Sequence, residues 1–217
     1  MLFDVHTHNF DKSSNALYNL RLSVNSLVLN ELNYFSAGVH PYDADKFDGN
    51  TINFLKQITA HKNCLAIGEI GIDKRYGLKL ELQQFTFEQQ ANLANELAKP
   101  VILHCVKAWN EIKTIKHQIQ PTSPWIYHGF TKAGLIDSVL ENGCYISIGA
   151  SILTNKSLQN NLYRIPLDRL FLETDDHNGP ISEIYKKVAE LKKIELYELE
   201  IKLEKNIRSI FTTWIIG

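Results

Sequence analysis

Cys64-Leu65-Ala66-Ile67-Gly68, a helical periodicity over Gln83–Ala98, and then Val101-Ile102-Leu103-His104-Cys105 decide how this chain folds. The outer two pieces are short apolar runs of strand length. The middle piece repeats its apolar residues at helical spacing. Pro100 stops that helix and starts the second run. A strand, a helix and a second strand in this order are one parallel βαβ unit.

The alternation extends in both directions. Further apolar runs lie at Leu2–Val5, Ala16–Val24, Asn33–Gly38, Trp125–His128, Cys144–Ile148 and Leu170–Glu173. Further helical periodicity fits Thr51–Ala60, Ala108–Gln118, Ala133–Glu141, Ile181–Lys193 and Leu196–Phe211. Eight strands in 217 residues, about 27 per unit, predict an α/β fold, a (β/α)8 TIM-type barrel at the short end of its ~200 to 400 residue range. The early part departs from this spacing. About ten residues separate the first two strands and about eight the next two, whereas a parallel crossover with its helix needs roughly 10 to 12 or more. One or two early crossover helices are therefore expected to be missing, which leaves a short, irregular barrel. No linker, low-complexity tract or repeat interrupts the chain, so residues 1–217 are expected to form a single domain.

Composition sets the outer limits. Hydrophobic residues at 44% and charged residues at 22% exclude disordered and fibrous classes. No apolar run approaches the ~18 residues of a membrane span. Met1–His6 carries no basic segment ahead of an apolar core, so no signal peptide is expected. Cys64, Cys105 and Cys144 are an odd number, widely spaced, and lie in apolar runs. They are expected to be small buried hydrophobes in a protein of the reducing cytoplasm. Twenty-three basic against 24 acidic residues exclude a chain that holds phosphate by broad positive charge. Any cationic surface must be local.

The histidines carry the functional signal. His6 and His8 lie two apart at the end of the first run and so project to the same side. His40, His104 and His128 also sit at or just past strand ends, and His177 follows the last strand. In a barrel those ends converge on the rim where active sites are built. Glu69 and Asp175 join them there. Imidazole with carboxylate suits a divalent transition metal. Lys74, Arg75, Lys107 and Lys132 occupy the loops after strands and would place local positive charge on the same rim.

The ordered set Asp4-Val5-His6-Thr7-His8, Gly38-Val39-His40-Pro41, Gly68-Glu69-Ile70-Gly71-Ile72-Asp73, Leu103-His104-Cys105, His128-Gly129-Phe130 and Glu173-Thr174-Asp175 resembles the TatD-type metal-dependent hydrolases. Gln83, Phe87 and Gln90, the Ile165–Leu170 segment and the closing Asn206–Phe211 helix match as well. The resemblance covers essentially the whole chain. It implies a nuclease with two divalent metal ions, Zn, Mn, Mg, Ni or Fe. His6, His8, Glu69 and Asp175 would hold one ion, and Glu69, His104 and His128 the other, with Glu69 bridging. It further implies hydrolysis of phosphodiester bonds, with DNA trimmed from a 3′ end by a hydroxide that the metal pair activates. Asp175 and Glu69 would be catalytic, Asp175 taking the proton and Glu69 setting the metal spacing. His40 would contact a phosphate oxygen or support a ligand. The alternative is an amidohydrolase-type or phosphatase-type hydrolase of a small molecule. No membrane partner is implied, and a monomer is expected.

Two departures concern the substrate side. Val106 stands where the family usually has Arg. After Asp175 the chain runs through Asp176-His177-Asn178-Gly179-Pro180 straight into a helix, where the family has a longer loop. Gln83 and Gln90 are read as polar contacts from their helix to a neighbouring loop, His177 as a solvent or substrate contact, and Trp109, Trp125 and Trp214 as packing residues.

Overall fold

The computed structural model describes residues 1–10, 15–22 and 34–212. Eight strands form one parallel sheet in chain order: β1 (Asp4–Thr7), β2 (Ala16–Arg21), β3 (Phe35–Gly38), β4 (Cys64–Asp73), β5 (Val101–Val106), β6 (Trp125–Tyr127), β7 (Tyr145–Ile148) and β8 (Leu170–Leu172). The α-helices among the described residues are α1 (Gly49–Thr59), α2 (Leu80–Glu96), α3 (Trp109–Ile119), α4 (Ile136–Glu141), α5 (Lys156–Asn161), α6 (Ile181–Lys192) and α7 (Leu196–Ile210). Two compact units share these elements, residues 1–18 with 126–217, and residues 19–125. Their limits fall inside β2 and β6.

In the first unit β1 pairs with the start of β2, and β6, β7 and β8 pair in turn. The chain just past β8 returns to β1. Thr7 bridges to Asp175, the Asp175 N–H donates to the His6 carbonyl at 2.9 Å, and the His8 N–H donates to the Asp175 carbonyl at 3.3 Å. Sequential parallel strands with the first bonded to the segment after the last follow the strand order of a (β/α)8 barrel, as expected. In the second unit β3, β4 and β5 pair, covered by α1, α2 and α3. All ten residues of β4 are buried. Parallel strands are covered on both faces, which is why they appear as unbroken apolar runs.

The expected elements are present, with differences at their ends. β4 extends to Asp73, five residues past its apolar run, because β5 continues to pair with it as far as Asp73 opposite Val106. The stretch Ala133–Glu141 is a 3₁₀ turn at Ala133–Leu135 followed by α4. α5 has no counterpart among the expected elements; it is a six-residue helix capped by the Asn155 side chain, which accepts from Leu158 N–H at 3.1 Å. Eight residues, 8–15, join β1 to β2, and the described ones among them form no helix. The expected gap before β3, with the strand ends at Val24 and Asn33, lies outside the described residues, as does Trp214. Trp109 and Trp125 are buried packing residues. All three cysteines are buried and unbridged. Among the described residues no helix is long and apolar enough to cross a membrane.

One glycine fixes the approach of β4 to β5. Gly71 has φ +150°, and a Cβ built there would lie 1.8 Å from the His104 carbonyl oxygen. No side chain fits, so the backbones close up and His104 is set against β4.

Candidate metal centre

The first unit presents its ligand atoms at the ends of β1, β6 and β8. His6 and His8 both direct Nε2 at Asp175 Oδ1, at 3.6 Å and 3.4 Å. Their rings meet edge-on, with centroids 5.1 Å apart. One ligand atom from each of the three side chains lies within 4.8 Å of the others. Asp175 reaches this position because its backbone is bonded to β1 on both sides. Burial pushes its carboxyl up, but the two imidazoles outweigh burial and hold it well below the usual carboxylate range. It is therefore an anion at neutral pH.

His128 follows β6, with its ring centroid 4.3 Å from that of His6. Its Nδ1 lies 3.5 Å from Oε1 of Glu173, a fully buried carboxylate. Glu173 in turn accepts from the Gly129 N–H at 2.5 Å and from the Ser147 hydroxyl. His128, Glu173 and Asp175 form a second group with ligand atoms within 4.8 Å. Below them Asp4 accepts from the Thr174 hydroxyl at 2.6 Å and the Thr174 N–H at 2.9 Å. Burial raises the Asp4 carboxyl to about 6 in spite of these bonds.

The second unit holds His40, Glu69 and His104, whose ligand atoms also fall within 4.8 Å. His104 Nδ1 meets Glu69 Oε1 at 2.5 Å, and its Nε2 meets Asp73 Oδ2 at 3.2 Å. Asn19, on β2, clamps Glu69 from both sides. Its Nδ2 donates to Oε2 at 3.2 Å, and its Oδ1 accepts the Glu69 N–H at 3.0 Å. His40 Nδ1 accepts the Tyr42 N–H at 3.2 Å. A backbone N–H can only donate, so the neutral ring carries its proton on Nε2, which faces Glu69 Oε1 at 3.5 Å. Burial lowers the His40 pKa against the pull of Glu69, which keeps the ring neutral.

Asp73 gathers several partners. It accepts from Arg75 at 2.8 Å and 3.2 Å and from the Tyr42 hydroxyl at 3.0 Å, besides its contact with His104. Burial acts to raise its carboxyl, but His104, Arg75 and Tyr42 together hold it well below the usual range. Gln83 accepts the Asp73 N–H at 2.8 Å. Gln90 accepts the Val39 N–H at 2.7 Å and donates to the Val39 carbonyl at 3.1 Å. The helix-to-loop contacts expected of these glutamines thus pin the chain beside His40 and Asp73. Of the four loop cations, Lys74 pairs with Glu111 and Arg75 with Asp73, while Lys107 and Lys132 are exposed.

The residues without a role at the sequence level are Asp73, Glu173, Asn19 and Tyr42. The first two lie inside the quoted motifs, and a carboxylate beside a ligand motif was the available signal. A lone Asn in a strand gave none.

The family model of TatD-related DNases matches residues 8–212. This chain belongs to that family. A TatD protein from Erwinia amylovora, named a 3′-5′ ssDNA/RNA exonuclease, is 32% identical over 211 residues, which cover 86% of this chain and 82% of that protein. A second TatD exonuclease, from Erwinia billingiae, is 35% identical over 146 residues, 64% of this chain and only 56% of its own length. The chain therefore aligns with little more than half of that relative. An uncharacterized metal-dependent hydrolase of Bacillus subtilis is 28% identical over 82% of this chain and 77% of its own. Among solved structures, a TatD homologue from Escherichia coli K12 superposes with a TM-score of 0.82 at 20% identity over 97% of this chain and 98% of its own. A TatD-family hydrolase from Entamoeba histolytica gives 0.79 at 15% identity, covering 98% of both chains. The likeness to these structures shows a shared TIM-type barrel fold. Within this TatD chain the donor set is all imidazole and carboxylate, which fits borderline divalent cations and not a thiolate-loving structural zinc site.

Proposed function

We propose that this TatD-family chain, acting as a single domain over residues 1–217, is a cytoplasmic metal-dependent nuclease that hydrolyses phosphodiester bonds in single-stranded DNA or RNA. One observation carries the reading. Each unit gathers histidines and a carboxylate at strand ends within ligand distance of one another, in a chain whose relatives are named for metal-dependent and exonuclease activity. Three buried, unbridged cysteines support the reducing compartment.

In this proposal His6, His8 and Asp175 would hold one divalent ion and His104 and His128 a second, and Glu69 would serve both. When bound, such a pair supplies hydroxide at neutral pH and neutralises charge that develops on the phosphoryl group. The rest falls to the chain. Asn19 keeps both the carboxylate and the backbone of Glu69 in place. Asp73 and Glu173 orient the His104 and His128 rings, the usual task of a carboxylate behind a ligating imidazole. Asp175, held as an anion, would accept a proton from the attacking water. His40, with its proton on Nε2, donates to a phosphoryl oxygen. Lys107 and Lys132 are free to approach neighbouring phosphates. Lys74 and Arg75 keep their carboxylate partners and offer only their remaining N–H groups.

Glu69→Gln tests this directly. With Mn²⁺ supplied, hydrolysis of single-stranded DNA, RNA and a generic phosphodiester is expected to fall by at least about 100-fold. Unchanged turnover would defeat the mechanism. Activity confined to simple amides would replace the substrate class.

A further inference from the structure

The loop that follows β4 carries an arrangement that metal binding does not need. Asp73 to Tyr76 form a turn closed by the Tyr76 N–H on the Asp73 carbonyl at 3.3 Å. The Tyr76 ring stacks on Tyr42, with centroids 4.2 Å apart and planes 21° from parallel. Tyr42 is held by three neighbours besides Tyr76. Its hydroxyl donates to Asp73, the His40 ring meets it edge-on at 4.4 Å, and the Arg21 guanidinium stands 5.8 Å from its centroid. Arg21 is itself fixed by Asp43 at 2.6 Å. Tyr76 nevertheless remains 44% exposed. Tyr42 covers one face of the Tyr76 ring. Other exposed tyrosines differ. Tyr163 and Tyr197 are 74% and 71% exposed and have no ring partner among the described residues. They are ordinary surface side chains.

We propose that Tyr76, stacked on Tyr42, is a platform for one nucleobase of a single strand, beside the His40–Glu69–His104 group. This rests on the reading of the chain as a nuclease of single strands, and it names the part of the substrate that the loop would grip. The Tyr42 ring lies 6.3 Å from that of His104, so a base on Tyr76 sits two ring layers from a ligating imidazole. Arg75 flanks the platform, its side chain 55% exposed and its Nε and one terminal nitrogen bonded to Asp73. Its remaining donors face a strand backbone or a base edge. A π-face accepts any base, so the platform confers grip without sequence preference. A ring already stacked and pinned loses little freedom when a base adds to it.

The test separates binding from hydrolysis. Oligonucleotides with phosphorothioate linkages at the 3′ end, carrying an abasic residue at each of the last four positions in turn, are titrated against the Mn²⁺-loaded protein by fluorescence anisotropy. In the wild type, one position is expected to raise Kd by about tenfold when its base is removed. In Tyr76→Ala that position no longer matters, because the complete strand already binds as weakly. Tyr76→Trp restores the effect. A wild type indifferent to every abasic position, or a Tyr76→Ala profile identical to the wild type, overturns the platform. Hydrolysis of the unmodified strand is followed in parallel. Turnover without a Tyr76-dependent position sinks the platform and leaves the nuclease reading standing. A Tyr76-dependent position without turnover does the reverse.

Discussion

Asp4 and Asp73 are both buried carboxylates beside strand-end histidines, and they titrate in opposite directions. Asp4 is bonded to the neutral Thr174, and burial raises it to about 6. Asp73 is bonded to Arg75, His104 and Tyr42, and these overcome burial to hold it well below the ordinary range. At Asp4 the neighbouring Glu173 carboxylate adds to the effect of burial, whereas Asp73 has the Arg75 guanidinium at 2.8 Å. The carboxylates behind the two candidate ligands differ in their donors. Asp73, behind His104, is tied to a guanidinium. Glu173, behind His128, is fed by a hydroxyl and a backbone N–H.

The largest expected break in this comparison is steric. Gly71→Ala forces a Cβ onto the His104 backbone at a φ that side chains avoid, and should cost on the order of 3 kcal/mol. Gly149→Ala, beside Glu173, meets nothing closer than 3.5 Å and should cost less than about 1 kcal/mol. Denaturant melts of the two variants measure this, and equal losses would show that the two regions are built to the same tolerance.

The next effect concerns pH. Folded Asp4 binds its proton more tightly than unfolded Asp4, so its contribution to stability is complete below the ordinary aspartate value of 3.8. That contribution is lost as pH rises through about 6. The rise from 3.8 to about 6 corresponds to roughly 3 kcal/mol at most. Asp4→Asn should remove this loss. With chelator present, its stability relative to the wild type should rise between pH 4 and pH 7. A pH-independent difference would mean that Thr174 compensates burial fully.

The smallest effect is on metal affinity. Asp73→Asn and Glu173→Gln should each weaken divalent-ion binding by about 10- to 100-fold, the usual price of losing a carboxylate behind an imidazole. Titration calorimetry with Mn²⁺ reads both. An unchanged affinity in either variant removes that carboxylate from the orienting role.

Much of this was legible along the chain. β5 and β7 lie within a residue of their apolar runs, because parallel strands covered on both faces show their burial directly in composition. α6 ends one residue from its expected limit for the parallel reason of helical periodicity. β4 beyond Gly68 was harder, since Glu69 and Asp73 are buried polar residues that break the apolar run. α5 was invisible because six residues are fewer than two turns and leave no period to detect. In the candidate site, the strand-end histidines stood out by position. Asn19 did not, because its partner Glu69 lies 50 residues away.

The sequence by itself determined the alternation of strands and helices, the placement of His6, His8, His40, His104 and His128 at strand ends, and the family. Each of these is written in local residue order. The tertiary structure alone decided that Thr174 answers Asp4 while Arg75 answers Asp73, that His40 keeps its proton on Nε2, and that Tyr76 lies flat on Tyr42. Hydrogen bonds and charge act over a few ångströms of space, and Asp4 and Thr174 are 170 residues apart in the chain but 2.6 Å apart in the fold.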